Sequence, residues 1–158
     1  MQKVVMVYKF TSKSAINGKQ EISKVELILN KNKVDHSIAV GNLMFEWTNN
    51  PEMRELGILH DIGYGLSREN PRLHNHAGGI FLNEFFHPYW KEVFHHGEVD
   101  PPYKSEALDL LNKADLHVDN KGNLVTPEER IADIGERYGK DSGPYKNAQL
   151  LARKLGLI

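Results

Sequence analysis

The 158-residue chain contains no cysteine. That excludes disulfide staples and thiolate metal sites, and it agrees with a cytosolic setting. An excess of charge of either sign is also lacking: 20 Lys and Arg stand against 21 Asp and Glu, for a formal net charge of -1. No global field draws such a chain onto nucleic acid or an anionic membrane, and neither is expected as a partner. No apolar run approaches the roughly 20 residues that cross a bilayer. The start, MQKVVMVYKF, has a short apolar segment but no small-residue cleavage site, so no signal peptide is read and a cytoplasmic location is expected. Internal repeats and low-complexity linkers are missing too. The expectation is one domain over residues 1–158, with its core at about 20–140.

What the chain does have is histidine, eight in all. Without cysteine, imidazole and carboxylate together are its natural metal chemistry.

Hydrophobic periodicity predicts an all-α, compact helical bundle of six to eight helices, with any strand confined to the first ten or so residues. Residues 3–9 (KVVMVYK) read as a short strand or extended arm, and Gly18 breaks the chain. A helix is expected from Glu21 to about Asn30, on Ile22, Val25, Leu27, Ile28 and Leu29. Asp35 is the expected N-cap of a second helix, with Ile38, Leu43, Met44 and Trp47 on one face. Pro51 starts a third, which runs through His60 and ends at Gly63 and Gly65 as left-handed caps. SRENPRLHNH reads as a loop, followed by helices over about 76–86 and 89–95. Ser105 caps a helix carrying Leu110, Leu111 and Ala114, and DNKGN is a turn. Thr126-Pro127-Glu128-Glu129 opens a capped helix that stops at Gly139, and a last helix covers about 145–155.

Several histidines and acids sit where apolar stripes should close. His60 and Asp61 end a helix whose packing side is otherwise Leu56, Ile58, Leu59 and Ile62. Two polar groups there cost several kcal/mol unless something satisfies them, which a divalent cation does well. The plain alternative is a helix-end pair in which the acid orients the imidazole. His36, in the first turn of the preceding helix, and Asp115, after ALDLLNKA, are placed in the same way.

The order of His36, then LHDIG (His60, Asp61), then ADLH (Asp115) resembles the HD superfamily of metal-dependent phosphohydrolases, whose pattern is H…HD…D on successive helices. The resemblance spans about residues 20–140. It implies an HD-type helical fold with metal ligands His36, His60, Asp61 and Asp115, and with His60 and Asp61 as catalytic residues. His76, in HNHAGGIF, resembles the histidine that follows the doublet in two-metal members. The tandem His95-His96 is similar to the paired histidines of cyclic-dinucleotide phosphodiesterases of the HD-GYP type. These three are therefore candidates for a second ion; His74, His87 and His117 read instead as polar loop residues. The GYP signature itself is absent, and Tyr64 stands where many members carry Lys after the doublet. Arg130 and Arg137, in TPEERIADIGERYG, are candidates for an anionic substrate, Arg130 foremost, since guanidinium pairs bidentately with phosphate.

The implied cofactor is one or two divalent ions (Mn, Mg, Fe, Co, Ni or Zn), and the implied partner is a small-molecule phosphoester, a nucleotide foremost. The implied reaction is hydrolysis by metal-activated water. Two alternatives stand beside it: a di-iron oxygenase built on the same ligand pattern, and a nucleotide-sensing domain without turnover. Substrate choice falls to the segments 64–75 and 97–104, and the oligomeric state is open.

Overall fold

Two long antiparallel strands precede the helices. The structure, a computed structural model, describes residues 2–13, 20–66 and 73–158; the side chains of 10–13 and 20–23 lie outside that description. Strand β1 is Lys3–Lys13 and β2 is Gln20–Asn30. They pair from Lys3 opposite Asn30 to Lys13 opposite Gln20. The helix expected over 21–30 is thus a strand, and strand is not confined to the first ten residues. The reason is period two: Leu27 and Leu29 are buried and Val25 half-buried, while Lys24, Glu26 and Ile28 point to solvent. Antiparallel pairing with β1 satisfies the backbone and leaves that alternating face on the core, an outcome a single apolar count does not distinguish from a helix. Gly18 and the SRENPR part of the expected loop lie outside the described residues.

Seven α-helices follow among the described residues, so the chain is mostly helical rather than all-α. Helix α1 (Lys31–Thr48) is capped by Asn30, which accepts from the Asn32 amide; Asp35 instead pairs with Lys31. Helix α2 (Pro51–Leu59) has Asn50 as its cap and Pro51 in its first turn. A 3-10 turn at Ile62–Gly65 leads toward α3 (His74–Glu84), α4 (Trp90–His95) and α5 (Glu106–Asp115). Helix α6 (Pro127–Tyr138) starts with a full capping box between Thr126 and Glu129, and α7 is Gly143–Lys154. Ser105 caps α5 as expected, and α6 stops at Gly139 with φ 93°. Gly63 and Gly65 are not left-handed caps. Gly63 is required for proximity instead: a Cβ there would lie 1.6 Å from the His74 carbonyl oxygen.

The main core joins Leu27 and Leu29 of β2 to Val40, Met44, Leu56, Leu59, Ile62, Leu82, Val93, Leu111 and Ala114. Each fully buried leucine contributes about 1.5–3 kcal/mol. A smaller core of Leu116, Ile131, Ala148, Leu151 and Ala152 seats α6 and α7. Among the described residues no helix is long and apolar enough to cross a membrane.

Helices α1 and α2 touch backbone to backbone, since a Cβ on Gly57 would fall 2.5 Å from the Gly41 Cα. Gly57→Ala is therefore expected to destabilise the protein. Helix propensity returns about 1 kcal/mol, but the clash is with main chain that cannot rotate away, and overpacking costs about 1–3 kcal/mol. The urea midpoint should fall, and a midpoint that rises would contradict this packing.

Candidate metal centre

Five helix ends converge on one buried point. His36 lies on the stripe of α1 that continues with Val40, Leu43 and Met44, one turn apart. His60 closes the α2 stripe of Met53 and Leu56, and Asp61 follows at the start of the 3-10 turn. Asp115 ends α5 one turn after Leu111 and Asn112. His74 opens α3, four residues before the buried Gly78 and eight before Leu82. His96 follows α4, one turn after the buried Glu92 and Val93. Each donor is thus a polar residue standing in a core position of its helix.

Asp61 is the centre. Its Oδ2 faces His60 Nε2 at 3.3 Å and His36 Nε2 at 3.8 Å. Its Oδ1 faces His74 Nε2 and His96 Nε2, each at 3.3 Å. Asp115 Oδ1 joins the first pair, 2.8 Å from His36 Nε2 and 3.8 Å from His60 Nε2. One carboxylate therefore presents an oxygen to each of two donor groups. His36, His60 and Asp115 form one cluster that could hold a metal ion, and His60, Asp61 and His96 form a second.

The far nitrogens are pinned to backbone. Nδ1 of His36 donates to the Asp119 carbonyl at 2.9 Å, that of His60 to Gly57 at 2.6 Å, and that of His96 to Val93 at 2.6 Å. Such outer bonds set the tautomer and aim Nε2 inward, as ligating histidines require. His60 Nε2 tests the fit: it is fully buried and makes no hydrogen bond among the described residues. An orphaned polar atom of this kind, facing two carboxylates, suits a cation.

Electrostatics point the same way. Burial alone would raise the Asp61 and Asp115 carboxyls, but the facing imidazoles hold both well below the usual carboxylate range. For His60, burial opposes charge, yet Asp61 and Asp115 overcome it and push the imidazole up to about 10. Burial pushes His74 down despite Asp61. The carboxylates thus draw positive charge to His60 Nε2, and a proton and a metal ion compete for that position.

The structure brings together His36, His60, Asp61, His96 and Asp115. It does not bring in His76 and His95, expected at a second ion. His76 Nε2 and His95 Nδ1 lie instead 3.0 Å from the two oxygens of Glu98, and His76 stacks on Phe94. The reason is helical phase: residues two apart point roughly 200° apart, so His74 and His76 cannot both face inward. His74, read as a loop residue, opens α3 instead and turns Nε2 to Asp61 Oδ1 at 3.3 Å. Its i, i+4, i+8 relation to Gly78 and Leu82 is the signal that marks it. His87 pairs with Glu55, and His117 bonds the Lys113 carbonyl. Arg130, expected to meet substrate, is buried, with Nη2 3.4 Å from Asp115 Oδ1 and Nη1 3.1 Å from Asp133. It is placed to orient a candidate ligand.

Comparison with protein-family models finds none that matches the chain, and comparisons with curated proteins and with solved structures return no match.

Purified protein is expected to retain a divalent cation and to lose it to a chelator with a fall in Tm, because a ligand of the native state stabilises it. Asp61→Ala should abolish retention. Affinity should weaken as pH falls: with His60 raised to about 10, one proton competes below that pH, at about tenfold per pH unit. Metal titrations at several pH values check this, and a pH-independent affinity would remove His60 from the ligand set.

Proposed function

We propose that the chain is a metal-dependent phosphohydrolase of the HD superfamily type, acting on a small phosphoester such as a nucleotide. The observation that carries this reading is the Asp61 carboxylate, one oxygen turned to His36 and His60 and the other to His74 and His96. That is the donor set suited to one or two hard or borderline divalent cations. The order His36, His60-Asp61, Asp115 along successive helices supports the same reading. In it, His36, His60, Asp61 and Asp115 hold one ion, and Asp61, His74 and His96 hold a second.

A divalent cation bound there supplies Lewis acidity, toward water as the nucleophile and toward a phosphoryl oxygen as its charge develops. The chain's own residues do the rest. Asp119, Gly57 and Val93 fix the imidazole tautomers through their carbonyls. Arg130, anchored by Asp133, holds Asp115 in place. Leu59, Ile62 and Val93 keep bulk water from the inner side, where low dielectric strengthens each charge interaction.

The nitrogen-rich set around Asp61 also favours a second reading, a di-iron oxygenase. Metal content separates the two: iron retained through purification together with dioxygen consumption supports oxygenation. Turnover of phosphoesters with added Mn²⁺, Mg²⁺, Co²⁺ or Ni²⁺ supports hydrolysis. Nucleotide binding without either reaction leaves a sensing domain.

His60→Ala is expected to lower kcat/KM on the best phosphoester by about two to three orders of magnitude, as loss of a main electrostatic stabiliser does. Lys91→Ala, at an exposed lysine whose ammonium lies by the Trp90 and Tyr103 rings, should change it little. His74→Ala should cost far more than His76→Ala, reversing the order that the sequence motif alone implies. Near-full turnover by His60→Ala, with contaminating phosphatase excluded by a mock purification, would defeat the hydrolase reading.

A further inference from the structure

Outside the donor cluster, the rim on one side is cationic and aromatic. Lys33 lies three residues before His36 and so on the same face of α1. Its Nζ sits 4.0 Å from the centre of the Tyr64 ring. Tyr64 in turn stacks on His74 with centroids 4.1 Å apart and planes 13° from parallel, and His74 meets Asp61. Among the described residues, no carboxylate lies within salt-bridge reach of Lys33, so its charge is held by an aromatic face alone.

Helix α6 carries a second cation outward from the cluster. Arg130, Asp133 and Arg137 occupy one stripe at i, i+3 and i+7. Asp133 serves both guanidiniums, at 3.1 Å from Arg130 and 3.5 Å from Arg137. The stripe thus leads from Asp115 outward to Arg137, whose Nη1 lies 3.5 Å from the Tyr138 hydroxyl. Burial pushes the Tyr64 phenol up while the Arg137 guanidinium acts against that rise, and the Lys33 ammonium adds to the burial that pushes His74 down. Lys33 thus lies over the ring that stacks on His74, and Arg137 ends the stripe that starts at Asp115, so two cations that do not bind the cluster carboxylates stand on the two paths leading out of the cluster.

We infer that Lys33, over the Tyr64 ring, and Arg137, at the outer end of the Arg130–Asp133 stripe, bind an anionic group of the substrate remote from the scissile phosphate, so that the preferred substrates are phosphoesters with a second anionic group. This rests on the phosphohydrolase reading. A phosphate at the donor cluster is addressed by the metal and its ligands. A second phosphate reaching them meets an ammonium with no carboxylate in salt-bridge reach among the described residues and a guanidinium that shares Asp133 with Arg130, and charge-assisted bonds to phosphate are the strong ones. Lys33 and Arg137 act here as specificity-determining residues.

The test compares a nucleoside 5′-monophosphate with the matching nucleoside 3′,5′-bisphosphate, in the metal that gives best turnover. Wild type is expected to favour the bisphosphate by about tenfold or more in kcat/KM, chiefly through KM, as ground-state binding does. Lys33→Met and Arg137→Met should each remove most of that preference, while Lys33→Arg retains it and Lys91→Met leaves it at the wild-type ratio. Metal content and circular dichroism of each variant confirm that it folds with the centre loaded. If wild type hydrolyses neither ester with any metal, the hydrolase reading fails and takes this inference with it. If wild type hydrolyses both without preference, or Lys33→Met keeps the preference, the rim assignment alone is overturned.

Discussion

A carboxylate buried among four imidazoles is the interaction around which the rest of the molecule is organised. His60 has no exposed surface, and His36, His96 and Asp61 have almost none. An isolated charge in such a place is strongly unfavourable, and removing one partner of a buried pair costs about 3–5 kcal/mol. The donors therefore have to arrive together. They do so because α1, α2, α3, α4 and α5 each deliver one end to the same point, over the core of Leu56, Leu59, Ile62, Leu82, Val93 and Ala114. The apolar packing and the polar cluster are parts of one arrangement: leucines set the helix crossings, and the crossings set the distances around Asp61.

Glycine makes the convergence close enough. With a side chain at Gly63, the 3-10 turn carrying Tyr64 could not sit against the start of α3, where His74 begins. The same economy appears on the far side of the rings. His36, His60 and His96 do not rely on other side chains to fix their tautomers but use backbone carbonyls, those of Gly57 and Val93 near the ends of α2 and α4 and that of Asp119 in the turn after α5. For His60 and His96 a helix terminus therefore does two things, placing the imidazole and setting which nitrogen faces inward.

Arg130 illustrates how burial changes a role. On the helix surface its guanidinium would be open to an anion in solution; seated between Asp115 and Asp133, it is committed to the protein. The anion-facing function we infer moves outward along α6 to Arg137, and to Lys33 on α1. Tyr64, three residues after Asp61, carries the Lys33 ammonium over its ring.

How much of this was legible in the chain follows from where each signal resides. Helix starts at Pro51, Ser105 and Thr126 were readable because capping is local chemistry, complete within four residues. His36, His60, Asp61 and Asp115 stood out because each interrupts an apolar stripe on its own helix. The segment 21–30 was misread because Val25, Leu27, Ile28 and Leu29 fit a helix or a strand, and only pairing with β1 decides between them. The histidines of 74–76 and 95–96 look alike until the helix phase is known: His96 stands among the sequence candidates and faces Asp61, as does His74, whereas His76 and His95 turn to Glu98. The sequence by itself determined which residue types could meet a metal ion and on which elements they ride. Tertiary structure alone decided which nitrogens share Asp61, because that choice depends on the rotation of each helix against its neighbours, and packing of the whole core sets that rotation.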